Sequence, residues 1–448
     1  MALPPVLPGS THAEEAPIDR ALSLALAEER EAALRWAAAL VRHDPSMPTA
    51  LCLSGRLLGE LGRQEAGREA CAVAIERAID LENLPLAVAA AWEIEHLGGD
   101  PGPHLDRIAA SFCKGSPRLG PGAPPPPPLP TAAAFQPLHA VLTGALLLNK
   151  ATEIVHEAKR HFDAESRRPG ITPLPVFSAI SEGALRALCG ALHPAWVQQG
   201  TRVIEQGAVG GEAYFVARGE LEARRERGGE SILLARLTNG ALFGEMALLA
   251  PAPRTGSVVA TRPSIVLEVK RDALDALADR HPEVGVELAG HCRDRMVESL
   301  VRMSEMLKAV PEGDLPALVK CFETRTFEKG ERLVVQDERP PGLFLIVSGE
   351  AAVVRRDTDG GEQLVLGALG PGDVAAEVAL VLRRPVTADV IATHPMVTLY
   401  LPAGRFMALV HDHPAALARL YELAVQRDEE TRSILEDEVS VAEDFVLL

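Results

Sequence analysis

The sequence predicts an α+β multidomain protein in which an all-α domain of helical hairpins precedes two β-rolls (jelly-roll-like) with flanking helices. From Ile18 to about Phe112 the chain is rich in Ala and Leu with helical periodicity and has no strand-like run. After Pro173, short β-rich runs alternate with glycine turns, which is typical of a small closed roll. This second pattern occurs twice, and 448 residues are enough for about three domains.

Composition and charge are those of an ordinary soluble globular protein. Hydrophobic residues make up 47% and charged residues 24%, and the net charge is −17 with a pI near 5.3. A DNA backbone or an anionic membrane surface needs a basic footprint, although an acidic protein can still contain a basic pocket. We therefore expect neither a nucleic acid nor a membrane as the main partner.

Cysteine usage and the first residues indicate a cytoplasmic protein. The six cysteines are scattered without a CxxC pair, so we expect neither a metal site nor a disulfide framework, and free thiols indicate a reducing compartment. The start, MALPPVLPGSTHAEEAP, lacks the basic and apolar regions of a signal peptide. The longest apolar stretch, from Ala140 to Leu148, is too short to span a bilayer.

The first predicted domain, residues 1–113, consists of helical hairpins. Asp44-Pro45 ends one helix, and Leu61-Gly62 recurs 36 residues later as Leu97-Gly98. Small residues lie where paired helices would approach closely: Gly55, Gly59 and Ala66. The stretch from Pro48 to Asp80 resembles a degenerate tetratricopeptide repeat, which implies a protein partner. A plain Ala-rich helical bundle is the alternative, because most bulky aromatic positions of that repeat are missing.

A proline-rich linker and a helical connector follow. The linker, 114–131, contains five prolines at Pro124–Pro128, which favour polyproline II. It is interpreted as a semi-rigid spacer, with a docking peptide for an SH3-like partner as the alternative. In the connector, 132–172, the pattern predicts a helix from Ala132 to Ser166. Its apolar and basic positions are Leu138, Val141, Leu142, Ala145, Leu148, Lys159 and Arg160.

An internal repeat divides the rest of the chain into domains 173–307 and 308–448. GTRVIEQ (200–206) matches GERLVVQ (330–336), and YFVARGE (214–220) matches FLIVSGE (344–350), both at an offset of 130. Beyond the Gly-Gly turns at 228–229 and 360–361 the offset is 132, as expected for an insertion in a hairpin. Each copy is predicted to open with a short helix and to close with a helical tail. The predicted spans are Ser181 to Leu188, Glu312 to Val319, Asp272 to Leu307 and Gly404 to Val439.

The first copy contains the segment FGEMALLAPAPRTGSV at 243–258. It closely resembles the phosphate-binding cassette of cyclic nucleotide-binding domains, which reads FGE-φ-ALφ and then, five to six residues later, P-R-[AT]. Gly207, Tyr214-Phe215 and Gly219 stand at the turn positions of that family. The resemblance spans Pro173 to Leu448 and implies cAMP or cGMP as the ligand, with no cofactor.

Residue chemistry supports the same interpretation. Gly244 permits close backbone approach, Arg254 offers a two-pronged cation for phosphate, and Glu245 can accept from a ribose hydroxyl. The N–H groups of a helical turn beginning at Met246, Ala247 and Leu248 are expected to face an anion. Glu245 and Arg254 are expected to neutralise each other in the empty pocket; the alternative is an ion pair that braces a surface loop. The predicted ligand-binding residues are Phe243, Gly244, Glu245, Met246, Ala247, Arg254 and Thr255.

Thr255 does not decide the purine. By resemblance, Thr after the arginine is linked with tolerance of guanine, but adenine-preferring members carry it too.

The second copy lacks key residues of the cassette. Ala375 and Ala376 stand where Phe243 and Gly244 do, and Val386 replaces Arg254. Glu377 survives, which makes this a doubtful second site, because a buried cyclic phosphate without its charge partner costs several kcal/mol. A structural, ligand-free copy is expected; the alternative is that Arg383 or Arg384 substitutes for the missing arginine.

Together these features predict a non-enzymatic sensor and signalling adaptor. A ligand in the first roll would repack the helical tail and signal to a protein partner through the N-terminal helices. The alternatives are a structural scaffold with vestigial pockets and an inhibitor like the regulatory subunits of cAMP-dependent protein kinase. Arg167-Arg168-Pro169-Gly170-Ile171 resembles the pseudosubstrate of those subunits, but it abuts the roll and reads better as a basic linker.

Other classes fit less well. A catabolite-activator-type regulator needs a helix-turn-helix, and too little sequence follows Leu401 for one. No GxSxG, HExxH or Walker loop suggests catalysis. The long helices after each roll are compatible with a homodimer.

Overall fold

The computed structural model describes residues 16–122, 135–164, 170–227, 229–249, 253–304, 321–356, 363–412, 417–418, 420–422, 424–427 and 429. Several sequence predictions lie outside the described residues: the proline run Pro124–Pro128, the basic segment Arg167–Pro169, the helix Glu312–Val319, the Gly-Gly turn at 360–361 and the part of the second tail helix beyond 429.

The predicted N-terminal helical region is confirmed, and between residues 16 and 122 it contains six consecutive helices. They are α1 (Pro17–Leu26), α2 (Arg30–His43), α3 (Pro48–Glu60), α4 (Gln64–Asp80), α5 (Leu84–His96) and α6 (Gly102–Phe112). The turns after α1, α3, α4 and α5 contain a residue with positive φ directly beyond the helix end: Glu28, Gly62, Glu82 and Gly98. After α3, the N–H of Arg63 donates to the Leu58 carbonyl at 2.7 Å, which closes the Schellman type of helix end. The recurring Leu-Gly pairs therefore mark helix ends.

Helices α3 and α4 pack with their backbones in close contact. A Cβ on Gly55 would lie 2.5 Å from Cys71 Sγ and 2.7 Å from the Gly67 carbonyl. A Cβ on Gly59 would lie 2.1 Å from Leu97 Cδ2. The predicted close approach is confirmed, because neither position has room for a side chain.

The connector helix is shorter than predicted. It begins at Gly144 and not at Ala132, and α7 spans Gly144–Ala164. The residues before it are tied to α2: the Leu138 N–H donates to the Arg35 carbonyl (3.1 Å), and Arg35 Nη1 donates to the Leu142 carbonyl (3.2 Å). Pro137 has no N–H to give to a helix. These tertiary bonds take the place of helical ones, and Val141, one of the apolar positions of the predicted helix, is 72% exposed.

Two rolls of eight strands each follow. The first contains α8 (Glu182–Ala191), β1 (His193–Val197), β2 (Arg202–Ile204), β3 (Glu212–Arg218), β4 (Leu221–Arg227), β5 (Glu230–Leu237), β6 (Leu242–Phe243), α9 (Met246–Leu249), β7 (Ser257–Ala260), β8 (Ser264–Lys270), α10 (Arg271–Arg280) and α11 (Pro282–Met303). The second contains β9 (Glu323–Phe327), β10 (Arg332–Val334), β11 (Gly342–Ser348), β12 (Ala351–Arg356), β13 (Gln363–Leu369), β14 (Val374–Ala375), α12 (Glu377–Val381), β15 (Asp389–Ala392), β16 (Met396–Pro402) and α13 (Ala403–Asp412). The helical ends predicted for the first copy are confirmed by α8, α10 and α11.

Both rolls have the same strand order. The first has antiparallel sheets β1-β8-β3-β6 and β2-β7-β4-β5, and the second repeats them as β9-β16-β11-β14 and β10-β15-β12-β13. Tyr214 pairs with Glu268 across β3 and β8, and Phe344 pairs with Tyr400 at the equivalent positions. Positive φ also recurs, at Gly207 and Asp337 and again at Gly244 and Ala376. The predicted tandem repeat is confirmed down to the register.

The helical region packs on the β1-β8-β3-β6 sheet of the first roll, and the two share one core. Trp196 Nε1 on β1 donates to Glu93 Oε1 on α5 at 2.9 Å. Asp19 on α1 is 3% exposed and forms ion pairs with Arg218 and Arg262 of the roll. The helices therefore cover one sheet of the roll.

Within the described ranges, no helix is long and apolar enough to cross a membrane, and no cluster of three or more His, Cys, Asp or Glu side chains could hold a metal ion. All six cysteines are unbridged, and only Cys321 is exposed.

Candidate functional site

The cassette of the first roll begins where β6 ends, and its backbone turns sharply at Gly244. The φ of Gly244 is +73°, a conformation that residues with a Cβ rarely adopt. A Cβ there would also lie 2.9 Å from Ile204 Cδ1 and 3.1 Å from both Arg254 Nη1 and the Glu212 carbonyl. The site thus requires glycine for both its conformation and its lack of a side chain.

Arg254 lies against this turn with a side chain that is only 8% exposed. Its Nη1 donates to the Gly244 carbonyl at 2.9 Å, and its Nη2 donates to the Glu212 carbonyl at 2.7 Å. Glu212 Oε2 is 3.3 Å from the same Nη2. Glu245 was expected to neutralise Arg254 in the empty pocket; in the structure Arg254 forms an ion pair with Glu212, because the start of β3 is adjacent to the cassette.

The main chain of Arg254 is fixed as well. Its N–H donates to the Ala208 carbonyl, and its own carbonyl accepts from the Gly207 N–H, both at 2.9 Å. Burial lowers the pKa of Arg254, while Glu212, Tyr214 and Glu245 oppose that shift. A guanidinium has so high a pKa that it keeps its charge. The turn therefore holds a permanent cation at a defined place.

Glu245 follows Gly244 and is 9% exposed. Its carbonyl accepts the Leu248 N–H at 3.0 Å and a long contact from Cys292 Sγ of α11 at 4.0 Å. Burial raises the pKa of the Cys292 thiol to about 12, so this residue is a neutral packing group. The tail helix α11 thus lies directly against the cassette.

The N–H groups at the start of the short helix α9 were expected to face an anion, but two of them donate to carbonyls of the chain itself. The Ala247 N–H donates to the Gly244 carbonyl at 3.1 Å, and the Leu248 N–H is used as described above. With four residues, α9 closes its own first turn with these i to i+3 bonds. The Ala247 carbonyl in turn accepts from the Arg271 guanidinium of α10.

The remaining predicted residues surround the same turn. Phe243 is buried, and its ring stacks on Tyr214 with a centroid distance of 5.2 Å. Met246 and Thr255 are half-buried. The structure therefore brings the predicted residues together along the cassette.

In the second roll the same backbone exists with different chemistry. Ala376 keeps φ at +71° although it is not a glycine. Val386, at the position of Arg254, is 6% exposed, and Gly342, at the position of Glu212, begins β11. The cation and its carboxylate partner are therefore both absent from these two positions.

A different arginine lies at the second cassette. Arg427, from the segment after α13, donates to the Val374 carbonyl at 2.7 Å and forms an ion pair with Glu377. Glu377 is 2% exposed, and burial raises its pKa while Arg427 opposes the shift. Arg427 lines a cavity at this cassette, whereas Arg383 and Arg384 do not. From the sequence, the alternative was that Arg383 or Arg384 of the neighbouring turn substitutes for the missing arginine. In the structure the arginine paired with Glu377 is Arg427.

Sequence reasoning missed Glu212, Arg271, Cys292 and Arg427. One signal was available for Glu212: in the second copy Gly342 replaces it where Val386 replaces Arg254. Two positions that change together across a repeat suggest that their side chains interact. The same comparison was available for Arg271, which Ala403 replaces at the offset of 132. Nothing comparable marked Arg427.

The family model described as the cyclic nucleotide-binding domain matches residues 194–281 and again 324–413. The chain contains two cyclic nucleotide-binding domains in tandem. Each match covers the β-roll of one repeat and its cassette.

Solved structures with similar chains include two regulatory subunits and a catabolite activator. The regulatory domain of Toxoplasma gondii PKA with cAMP is 24% identical over 56% of this chain and 92% of that chain, with a TM-score of 0.29. A Trypanosoma cruzi regulatory subunit bound to guanosine is 20% identical over 60% and 88%, with a TM-score of 0.28. Thermus thermophilus catabolite activator protein is 26% identical over 33% and 80%, with a TM-score of 0.26.

Proposed function

We propose that the first cyclic nucleotide-binding domain binds cAMP or cGMP and that the chain acts as a cytoplasmic, non-enzymatic sensor. The observation that carries this proposal is the position of Arg254. Its buried side chain points its guanidinium at the cassette turn, where Gly244 leaves the backbone open to close approach. The site has the residue types that a cyclic phosphate needs.

In the proposed complex the phosphate replaces Glu212 as the partner of Arg254. Arg254 can offer two parallel N–H groups to phosphate oxygens, a charge-assisted arrangement that is stronger than a neutral hydrogen bond. Glu212, whose side chain is 36% exposed, can turn to solvent when it is displaced. Glu245 would accept from the ribose hydroxyl, and Phe243, Met246, Ala247 and Thr255 would complete the wall.

We propose that this exchange is transmitted to the N-terminal helices through β3. Glu212 and Tyr214 are next to the cassette, while Phe215 and Arg218 on the same strand contact the helical side. Arg218 forms an ion pair with Asp19 of α1 and is itself buried. One strand therefore connects the ligand turn with the helical region.

The tetratricopeptide-like helices would present a protein-binding surface on the side away from the roll. Helices α4 and α7 line an open groove that includes the exposed Glu153 and His156 and the half-buried Glu69. The acidic balance of the chain disfavours nucleic acid as the partner.

Calorimetric titration of the full chain with cAMP and with cGMP tests this function. We expect one cyclic nucleotide per chain. Glu245→Gln, which keeps the shape of the side chain but removes its charge, is expected to weaken binding about tenfold or more, because a hydrogen bond to a charged group contributes roughly 1.5–3 kcal/mol. Glu377→Gln is the matched control in the second domain and is expected to leave the affinity unchanged.

Binding of neither nucleotide would favour a scaffold with vestigial pockets and contradict the proposal. A stoichiometry of two, reduced to one by Glu377→Gln, would contradict the assignment of a single site.

A further inference from the structure

Helix α4 forms the floor of an open groove, with the end of α7 on one side and the start of α6 on the other. The groove has a volume of about 670 Å³ and continues into the α4–α7 groove through Glu65 and Glu69, which line both. Its floor is apolar, because the buried side chains of Val73, Ile94 and Phe162 lie there. This volume has room for the side chains of a short peptide.

The groove carries an excess of negative charge. Five carboxylates line it, against the two permanent cations of Arg68 and Lys159. Both cations are engaged: Lys159 Nζ donates to Glu69 Oε1, and Arg68 Nη1 donates to the Leu97 carbonyl, each at 2.8 Å. His104 also lines the groove, but burial lowers its pKa, which favours the neutral ring. The cations present therefore do not neutralise the groove.

Three of the carboxylates are available to a partner. Glu65, Asp100 and Asp163 are exposed, and none of them forms an ion pair with any residue that the structure describes. Asp100 accepts the Gly102 N–H at 2.9 Å, which leaves its charge uncompensated. A cleft lined by one sign of charge attracts groups of the opposite sign. The groove thus combines an apolar floor with three unpaired carboxylates at its rim.

We propose that this groove binds a basic segment of a partner protein in which Lys or Arg residues flank an apolar residue. The apolar side chain lies on the floor, and the flanking cations pair with the three unpaired carboxylates. An acidic segment is repelled, and an uncharged one leaves the carboxylates without a partner. This inference deepens the proposed function, because it rests on the proposal that the helical region binds a protein.

Random dodecapeptides displayed on phage and selected against the full chain are the probe. We expect the enriched peptides to carry Lys or Arg on both sides of an apolar residue. A synthetic copy of the most enriched peptide should bind in fluorescence anisotropy, and more weakly as salt rises, because salt screens exposed charges. Spermine, a cation without an apolar side chain, should displace the peptide only at a concentration at least tenfold higher than the peptide itself requires.

Variants at exposed positions locate the binding in the groove. Glu65→Lys combined with Asp163→Lys should weaken peptide binding about tenfold or more, because repulsion replaces attraction. Asp275→Lys combined with Asp279→Lys is the matched control: it changes the net charge equally at two exposed positions of α10 and should leave binding unchanged. Ala72→Phe fills the floor at a half-buried position without changing a charge and should also weaken binding at least tenfold. Thermal unfolding verifies that each variant is folded.

The proposal is overturned if no peptide is enriched, if the enriched peptides lack cations, or if the folded groove variants bind as the parent does. Equal weakening by the α10 control would also overturn it, since net charge alone would then attract the peptide, and so would spermine competing as well as the peptide. A chain that binds the peptide but neither cAMP nor cGMP would reject the sensor function and keep this site. Binding of a cyclic nucleotide without any peptide would do the reverse.

Discussion

Gly244 and Arg254 form one structural unit, because the carbonyl of the first accepts from the guanidinium of the second at 2.9 Å. The turn needs a left-handed residue without a side chain, and the guanidinium fills the space that a Cβ would need. The second domain shows the contrast. Ala376 has the same φ, but there Val386 has removed the guanidinium and its crowding. Loss of the arginine and tolerance of alanine at the turn therefore go together.

Gly244→Ala should therefore cost both stability and affinity. A non-glycine residue in the left-handed region costs about 1–2 kcal/mol, and the added Cβ would push on Arg254. We expect a melting temperature lowered by a few degrees and a cyclic-nucleotide affinity reduced at least tenfold, measured by thermal unfolding and calorimetry. Gly240→Ala is the control, because Gly240 also has positive φ but a Cβ added there would meet no atom within 4 Å. It should lower stability by the left-handed strain alone, without the crowding, and leave affinity unchanged; equal affinity losses would refute the crowding argument.

Strand β3 connects the cassette of the first domain with the N-terminal helices. Its start carries Glu212 and Tyr214 next to the cassette, and its end carries Arg218 in contact with α1. Arg218 is 7% exposed, and burial lowers its pKa while Asp19 opposes that shift. A buried ion pair thus adds to the shared apolar core that attaches the helices to the roll.

Asp19→Asn should destabilise the full chain strongly. Removing one partner of a buried pair leaves an uncompensated charge, which typically costs about 3–5 kcal/mol. Chemical denaturation should show this loss, whereas Glu153→Gln, in an exposed pair with Lys150, should change stability by less than about 1 kcal/mol. If the two substitutions have equal effects, the Asp19 pair does not hold the helices on the roll.

What the sequence predicted well were the features that repeat along it. The 130-residue offset defined the two rolls. The Leu-Gly dipeptides were noted only as a recurrence, and the structure shows that they end helices. Contacts between distant residues were not predictable in this way. Arg254 and Glu212 are 42 residues apart, and Trp196 and Glu93 are 103 apart. The start of α7 was misplaced for the same reason, since bonds to α2 decide it.

At the scale of the molecule, the helical region and the first roll share one continuous apolar core. The second roll touches the first through Arg225, whose Nη1 donates to the Pro371 carbonyl at 2.9 Å. Pro371 lies in the turn between β13 and β14, next to the second cassette. The first roll therefore contacts the helical region through its β1-β8-β3-β6 sheet and the second roll through Arg225 of its other sheet.

The central claim is that Arg254 holds the phosphate of a cyclic nucleotide, and Arg254→Ala tests it most directly. Truncating one side of a buried charged contact costs about 2–5 kcal/mol, so calorimetry should show binding weakened roughly thirtyfold or more. Arg254→Lys should recover little, because an ammonium lacks the two-pronged geometry. The ligand-free variant should also unfold at a lower temperature, since Arg254 bonds Gly244 and Glu212. Arg202→Ala, at an exposed arginine of the same domain, is the control and should bind normally. If the folded Arg254→Ala chain binds cAMP and cGMP as tightly as the parent, the cassette is not the binding site.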